Sequence, residues 1–93
     1  MKITLREQII HRFKRNYQDG KTGFVNSQTI QDIMHPITGR KHETIARELR
    51  RMAVAGLLEK DEIKLPTSKV ASVYYRYLPS EYDELIRIRN QQY

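Results

Sequence analysis

The sequence predicts a small α+β domain, mostly helical, in which a three-helix core carries a β-hairpin and one more helix follows. Three observations predict it. Four segments repeat apolar residues at helical spacing. Two short strand-like runs lie on either side of a single loop, so they can pair only as an antiparallel hairpin. Ninety-three residues without a cysteine leave room for one domain and one modest core, held by packing rather than by disulfides. Leu, Ile, Val and Phe make up 23 of the 93 residues. That is above the region of about 20% where a chain fails to condense.

Thr4-Leu5-Arg6-Glu7 is a capping box: the Thr hydroxyl can accept from the Glu7 amide, and the Glu carboxylate can reach back to the Thr amide. Leu5, Ile9, Ile10, Phe13 and Tyr17 follow at helical spacing. The spacing predicts a first helix over 4–18, stopped by Asp19-Gly20 and Thr22-Gly23. Phe24-Val25 is long enough only for a bridge-length strand. Asn26 and Ser27 can each cap a second helix bearing Ile30, Ile33 and Met34. His35-Pro36 is expected to end that helix, because a residue before proline is pushed out of helical geometry. A six-residue connection over 35–40 then leads to a third helix over 40–55. Its apolar stripe is Ile45, Leu49, Met52 and Ala53, and Gly56 suits a left-handed stop.

Residues 57–65 read as a strand of untidy alternation, and 66–69 as a loop. Residues 70–78 read as a clear strand, with Val73, Tyr75 and Tyr77 on one face and Tyr74, Arg76 and Leu78 on the other. Pro79-Ser80 opens the last helix, where Ser80 and Asp83 form a weaker capping pair. Tyr82, Leu85, Ile86 and Ile88 give that helix an apolar side. A helical core with one appended hairpin is the arrangement of a winged helix.

The net charge is +6, and all of the excess lies in the first half. Residues 1–51 hold 11 Lys or Arg against 5 Asp or Glu, whereas residues 52–93 hold 6 of each sign. Such asymmetry points to a polyanion or an acidic surface as partner. The plainer reading is a basic protein whose charges are only solvated. No apolar run approaches the roughly 20 residues of a membrane span. The N-terminal segment has an acidic residue and no apolar h-region. A soluble, cytoplasmic protein is expected, acting in the host cell if it is viral.

Residues 43–60 read Glu-Thr-Ile-Ala-Arg-Glu-Leu-Arg-Arg-Met-Ala-Val-Ala-Gly-Leu-Leu-Glu-Lys. This segment resembles the recognition helix and first wing strand of winged helix-turn-helix DNA-binding proteins. The matching positions are Thr44, Ile45, Ala46, Arg47, Leu49, Met52, Gly56, Leu57 and Leu58, and the run from Tyr75 to Leu78 resembles the returning wing strand. The resemblance spans roughly residues 5–78. It implies a DNA-binding domain over 1–78, followed by a helix over 79–93 that is a possible dimerisation element. Two features depart from the family pattern. The six-residue connection exceeds a tight helix-turn-helix turn of 3–4 residues. The hairpin also carries Glu59, Asp61 and Glu62, which would approach phosphates poorly.

On the third helix, Arg40, Glu43, Arg47, Arg50 and Arg51 fall opposite the apolar stripe. An arginine face of this kind fits a major groove about 12 Å wide, where the guanidinium fork can pair with guanine or grip phosphate. Arg40, Lys41, His42, Glu43, Thr44 and Arg47 are the base-edge candidates. Arg50 and Arg51 are better placed for phosphate. Glu43 can accept from cytosine or pair with Arg47 four residues on. Ser27 and Gln28 can offer amides and side chains to phosphate, and Ser68 and Lys69 at the hairpin tip can touch the backbone or an adjacent groove. Each has a plainer alternative: a solvated helix face, ordinary capping, a polar loop. Contacts from Lys14 and Arg15 are the weaker expectation, as is base stacking on Tyr74, Tyr75 and Tyr77.

Enzymatic signals are missing. His11, His35 and His42 have no ligand spacing, and there is no glycine-rich phosphate loop. No cofactor, metal or small-molecule substrate is expected. The leading expectation is a sequence-specific double-stranded DNA-binding protein, a small transcriptional regulator that pairs as a homodimer through Tyr82, Leu85, Ile86 and Ile88. The last helix can instead close its own subunit's core. Two other functions remain open. One is a protein-interaction winged helix that sets its basic face on an acidic partner. The other is an accessory factor in replication, recombination or packaging. So compact a module suits a virus, phage or plasmid.

Overall fold

The computed structural model describes residues 3–67 and 69–92. The chain runs α1 (Leu5–Gln18), β1 (Val25–Asn26), α2 (Ser27–Thr38), α3 (His42–Val54), β2 (Leu58–Ile63), β3 (Ser72–Tyr77) and α4 (Glu81–Gln91). These make a mostly helical α+β domain with a three-stranded antiparallel sheet of order β1-β3-β2. Among the described residues no helix is long and apolar enough to cross a membrane.

α1 starts where its cap predicts. The Thr4 Oγ1 accepts the Glu7 amide at 3.1 Å. The return bond differs from expectation: the Glu7 carboxylate accepts from the Thr4 hydroxyl at 3.1 Å. Ile9, Phe13 and Tyr17, spaced four apart, are buried on one side of the helix.

α2 overturns one expectation. It does not end before Pro36 but carries that proline inside its last turn and runs on to Thr38. Proline this late removes a single intrahelical bond, the one its own amide would have made to the Asp32 carbonyl. The surrounding turn is held from several directions. Met34 is buried in the core, the Thr38 hydroxyl donates to the Met34 carbonyl at 2.8 Å, and the Gly39 amide donates to the His35 carbonyl at 2.9 Å. Gly39, at φ 70°, ends the helix in a left-handed conformation that costs glycine little. The connection to α3 therefore shrinks from the six residues expected to three, 39–41. Of the two candidate caps, Asn26 is used: its Oδ1 accepts the Gln28 amide at 2.8 Å.

α3 begins at His42, two residues later than expected. Its Ile45, Leu49 and Met52 are fully buried. Behind it, Gly56 at φ 81° closes a Schellman turn: the Gly56 amide bonds the Ala53 carbonyl at 3.1 Å and the Leu57 amide bonds the Met52 carbonyl at 2.9 Å.

The hairpin strands are shorter than predicted at both ends. Their register sets Leu58 opposite Tyr77, Lys60 opposite Tyr75 and Glu62 opposite Val73 on one face. β1 lies one residue later than the Phe24-Val25 of the sequence reading, and it adds to β3 by pairing Val25 with Tyr75. One core results, built from Ile9, Phe13, Ile30, Met34, Ile45, Leu49, Met52, Leu58 and Tyr75. Ile33, expected beside Ile30, stays at its rim.

α4 packs on α1, but not through its apolar side. The pair expected to be a weak cap is a complete capping box between Ser80 and Asp83, and Asp83 is 1% exposed. Tyr82, Leu85 and Ile88 face solvent at 63%, 61% and 44% exposure, so they do not close the subunit's own core.

Candidate nucleic-acid interface

The burial of Ile45, Leu49 and Met52 fixes how α3 is turned. With about 100° per residue, Arg50, Glu43, Arg47 and Arg51 then follow one another across the outward side. All four are exposed, as are Arg40 and Lys41 in the turn before the helix. Arg47 leans on Glu43 at 3.6 Å, the surface pair that i,i+4 spacing allows. Arg51 lies 3.9 Å from Glu48. Glu48 in turn is held by Arg6 of α1 at 2.6 Å, so one carboxylate fixes the α1 edge of the arginine face.

At the other edge the structure brings together residues that are distant in sequence. Arg50 lines an open groove of about 410 Å³ with Ser27 and Gln28 at the start of α2, Lys60 of β2 and Ser72 of β3. The groove thus combines two cations, two hydroxyls and the amino-terminal end of a helix, whose first amides lack partners within the helix. This is chemistry that suits a phosphate. Lys60 was not among the sequence candidates. Its alternation with the buried Leu58 was the available signal, but reading it required the strand register. Glu62, 2.9 Å away, hydrogen-bonds Lys60 and holds its ammonium above the usual lysine range, so Lys60 is cationic at neutral pH.

The acidic strand is less of an obstacle than its sequence suggests. Glu59 is taken up by Arg76 directly across the hairpin, with Nε at 3.2 Å, and Glu62 is taken up by Lys60. Of the three acids of this strand, Asp61 alone has no ion-pair partner among the described residues. Lys69 is exposed at the hairpin tip, and Ser68 lies outside the described residues.

His42 is drawn away from the outward face. Its Nε2 is 3.0 Å from Asp32, and its ring stacks on His35 with centroids 4.5 Å apart. His35 Nδ1 in turn lies 2.7 Å from the Arg40 carbonyl. The two histidines therefore brace the three-residue turn, and His42 is a poorer base-edge candidate than its neighbours. Thr44 is half-buried. Lys14 is also committed elsewhere, 3.5 Å from Asp83.

The tyrosines sort by face. Tyr75 is buried and cannot offer its ring to a base, and its hydroxyl is pushed up by desolvation and stays neutral. Tyr77 packs edge-on against Tyr17 and donates to Asp83 at 2.6 Å. Both roles are internal. Among the described residues no group of three or more His, Asp or Glu side chains could hold a metal ion. Comparison with known protein families, curated proteins and solved structures returns no match for this chain.

Proposed function

We propose that this protein is a winged helix that binds double-stranded DNA sequence-specifically, with α3 as its recognition helix and the β2–β3 hairpin as its wing. One observation carries the reading: an exposed arginine row on α3 runs directly into the groove where Arg50, Lys60 and the start of α2 meet. The row is long enough to enter a major groove, with Arg40, Lys41, Glu43 and Arg47 toward base edges. The groove beside it fits the phosphate backbone, which sets register and orientation. The three-residue turn between α2 and α3 favours the same reading, since it is the length of a tight helix-turn-helix connection. The role that follows is a small, non-enzymatic transcriptional regulator without a cofactor.

The experiment is fluorescence anisotropy of a labelled random-sequence duplex at about 50 and 200 mM salt. Wild type is compared with Arg47→Ala/Arg51→Ala. Binding should weaken with salt by about 0.9 log unit per tenfold salt for each phosphate contacted, and the double variant should lose most of it. A folded protein that binds no duplex at the lower salt would sink the proposal and favour the acidic protein partner instead.

A further inference from the structure

α4 is an amphipathic helix docked the wrong way round. Its inward side is polar. Asp83 accepts from Tyr77 at 2.6 Å and from Ser80, Arg87 lies 5.5 Å over the Tyr17 ring, and Asn90 donates to the Gln18 carbonyl at 3.0 Å. Its outward side is apolar. With about 100° per residue, Tyr82, Ile88, Glu81 and Arg89 all lie within about 60° of Leu85, while Asp83, Arg87 and Asn90 lie about 140–160° away from it. Ile86 sits between the two sides and is half-buried, so it does not belong to the outward stripe.

We infer that α4 packs antiparallel against α4 of a second copy of this chain, about a two-fold axis at Leu85. The charges on the stripe select that occupant and that direction. Around Leu85 the antiparallel register sets Tyr82 against Ile88 of the second copy and Glu81 against its Arg89. Every dimer then holds two opposite-charge pairs. A parallel pairing would set Glu81 against Glu81 and Arg89 against Arg89. Both side chains are available, because neither has a hydrogen-bond or ion-pair partner among the described residues, whereas Glu84 is engaged by Tyr17 and Arg87. A surface that is apolar at its centre and complementary to itself under two-fold rotation is what an isologous contact requires. The inference stands apart from the DNA reading.

The test is sedimentation equilibrium of the full chain between about 5 and 500 µM, which brackets the Kd of tens of micromolar expected for a small interface. Wild type should move from the 11.1 kDa monomer to twice that mass. Leu85→Lys should abolish the shift without changing the far-ultraviolet circular dichroism. Glu81→Arg and Arg89→Glu should each weaken pairing about tenfold, since each turns two attractions into two repulsions. Mixing the two single variants should restore pairing, as should the double variant Glu81→Arg/Arg89→Glu. A wild type monomeric throughout would overturn the inference. So would single charge variants that pair as well as wild type, or a mixture that does not recover.

Discussion

α3 and α4 are both amphipathic, and the domain uses them in opposite senses. α3 buries Ile45, Leu49 and Met52 and turns its arginines outward. α4 buries Asp83 and turns Tyr82, Leu85 and Ile88 outward. An apolar stripe therefore does not by itself say which side of a helix meets its own domain. In α4 the choice belongs to one carboxylate. The Asp83 carboxylate accepts at once from the Ser80 amide and hydroxyl of its own cap, from Tyr77 of the sheet and from Gln18 of α1 at 3.3 Å. Those charge-assisted hydrogen bonds offset the desolvation of the carboxylate, and turning α4 over would leave Tyr77 and Gln18 without their acceptor.

The largest effect that separates the two helices should come from paired leucine truncations. Leu49→Ala is expected to destabilise the domain by about 3 kcal/mol, through lost transfer energy and a cavity. Leu85→Ala should stay within about 0.5 kcal/mol in the monomer. Urea denaturation at low protein concentration measures both, and equal losses would erase the distinction.

Asp83→Ala comes next. It leaves Tyr77 and Lys14 facing an emptied site and should cost about 3 kcal/mol. A thermal melt should then fall by more than about 10 °C. A cost no larger than that of Glu81→Ala would show that the polar side of α4 does not anchor it.

The same group sets an acid limit. Burial pushes the Asp83 carboxyl up, but the Tyr77 hydroxyl, the Ser80 amide and hydroxyl and Lys14 together outweigh it and hold the pKa down at about 2, from 3.8. A depressed carboxylate stabilises the fold above its unfolded pKa and loses that contribution as pH falls through the folded value. Stability should therefore drop by about 2 kcal/mol between pH 4 and pH 2. Denaturant midpoints for wild type and Asp83→Asn across that range check this, because the variant should lack that part of the slope.

The smallest effects divide α3 from the groove at its edge. Arg47→Ala should reduce discrimination between preferred and random duplex by about 1–3 kcal/mol. Lys60→Ala should weaken binding equally across sequences and lower the salt slope by about one. The reverse pattern would exchange their roles.

What was legible in the sequence follows from the range of the forces involved. α1 and the core face of α3 were readable because Ile9, Phe13, Tyr17, Ile45, Leu49 and Met52 repeat at helical spacing, and Gly56 marked its turn locally. Pro36 misled because the rule applied to it is local, while Met34 and the Gly39 cap hold the turn from outside. Lys60 needed Arg50, 10 residues back in the chain, and the histidine stack needed His35 and His42 to meet across the α2–α3 turn. Asp83 reads as an ordinary first-turn acid until Tyr77 and Gln18 are seen to converge on it. The arginine row was visible from the start, because it needs only the helix's own period.

β1 carries a consequence for the order in which the chain assembles. Its two residues join Val25 to Tyr75, fifty positions along the chain. Closing a loop of that length costs about 3.5 kcal/mol of chain entropy. A two-residue ladder is too small to recover that alone. The α2–α3 corner and the β2–β3 hairpin draw on near neighbours in sequence and can condense first. β1 then locks onto a β3 edge that the hairpin has already built, and it tethers the start of α2 to the sheet as one of the last steps of folding.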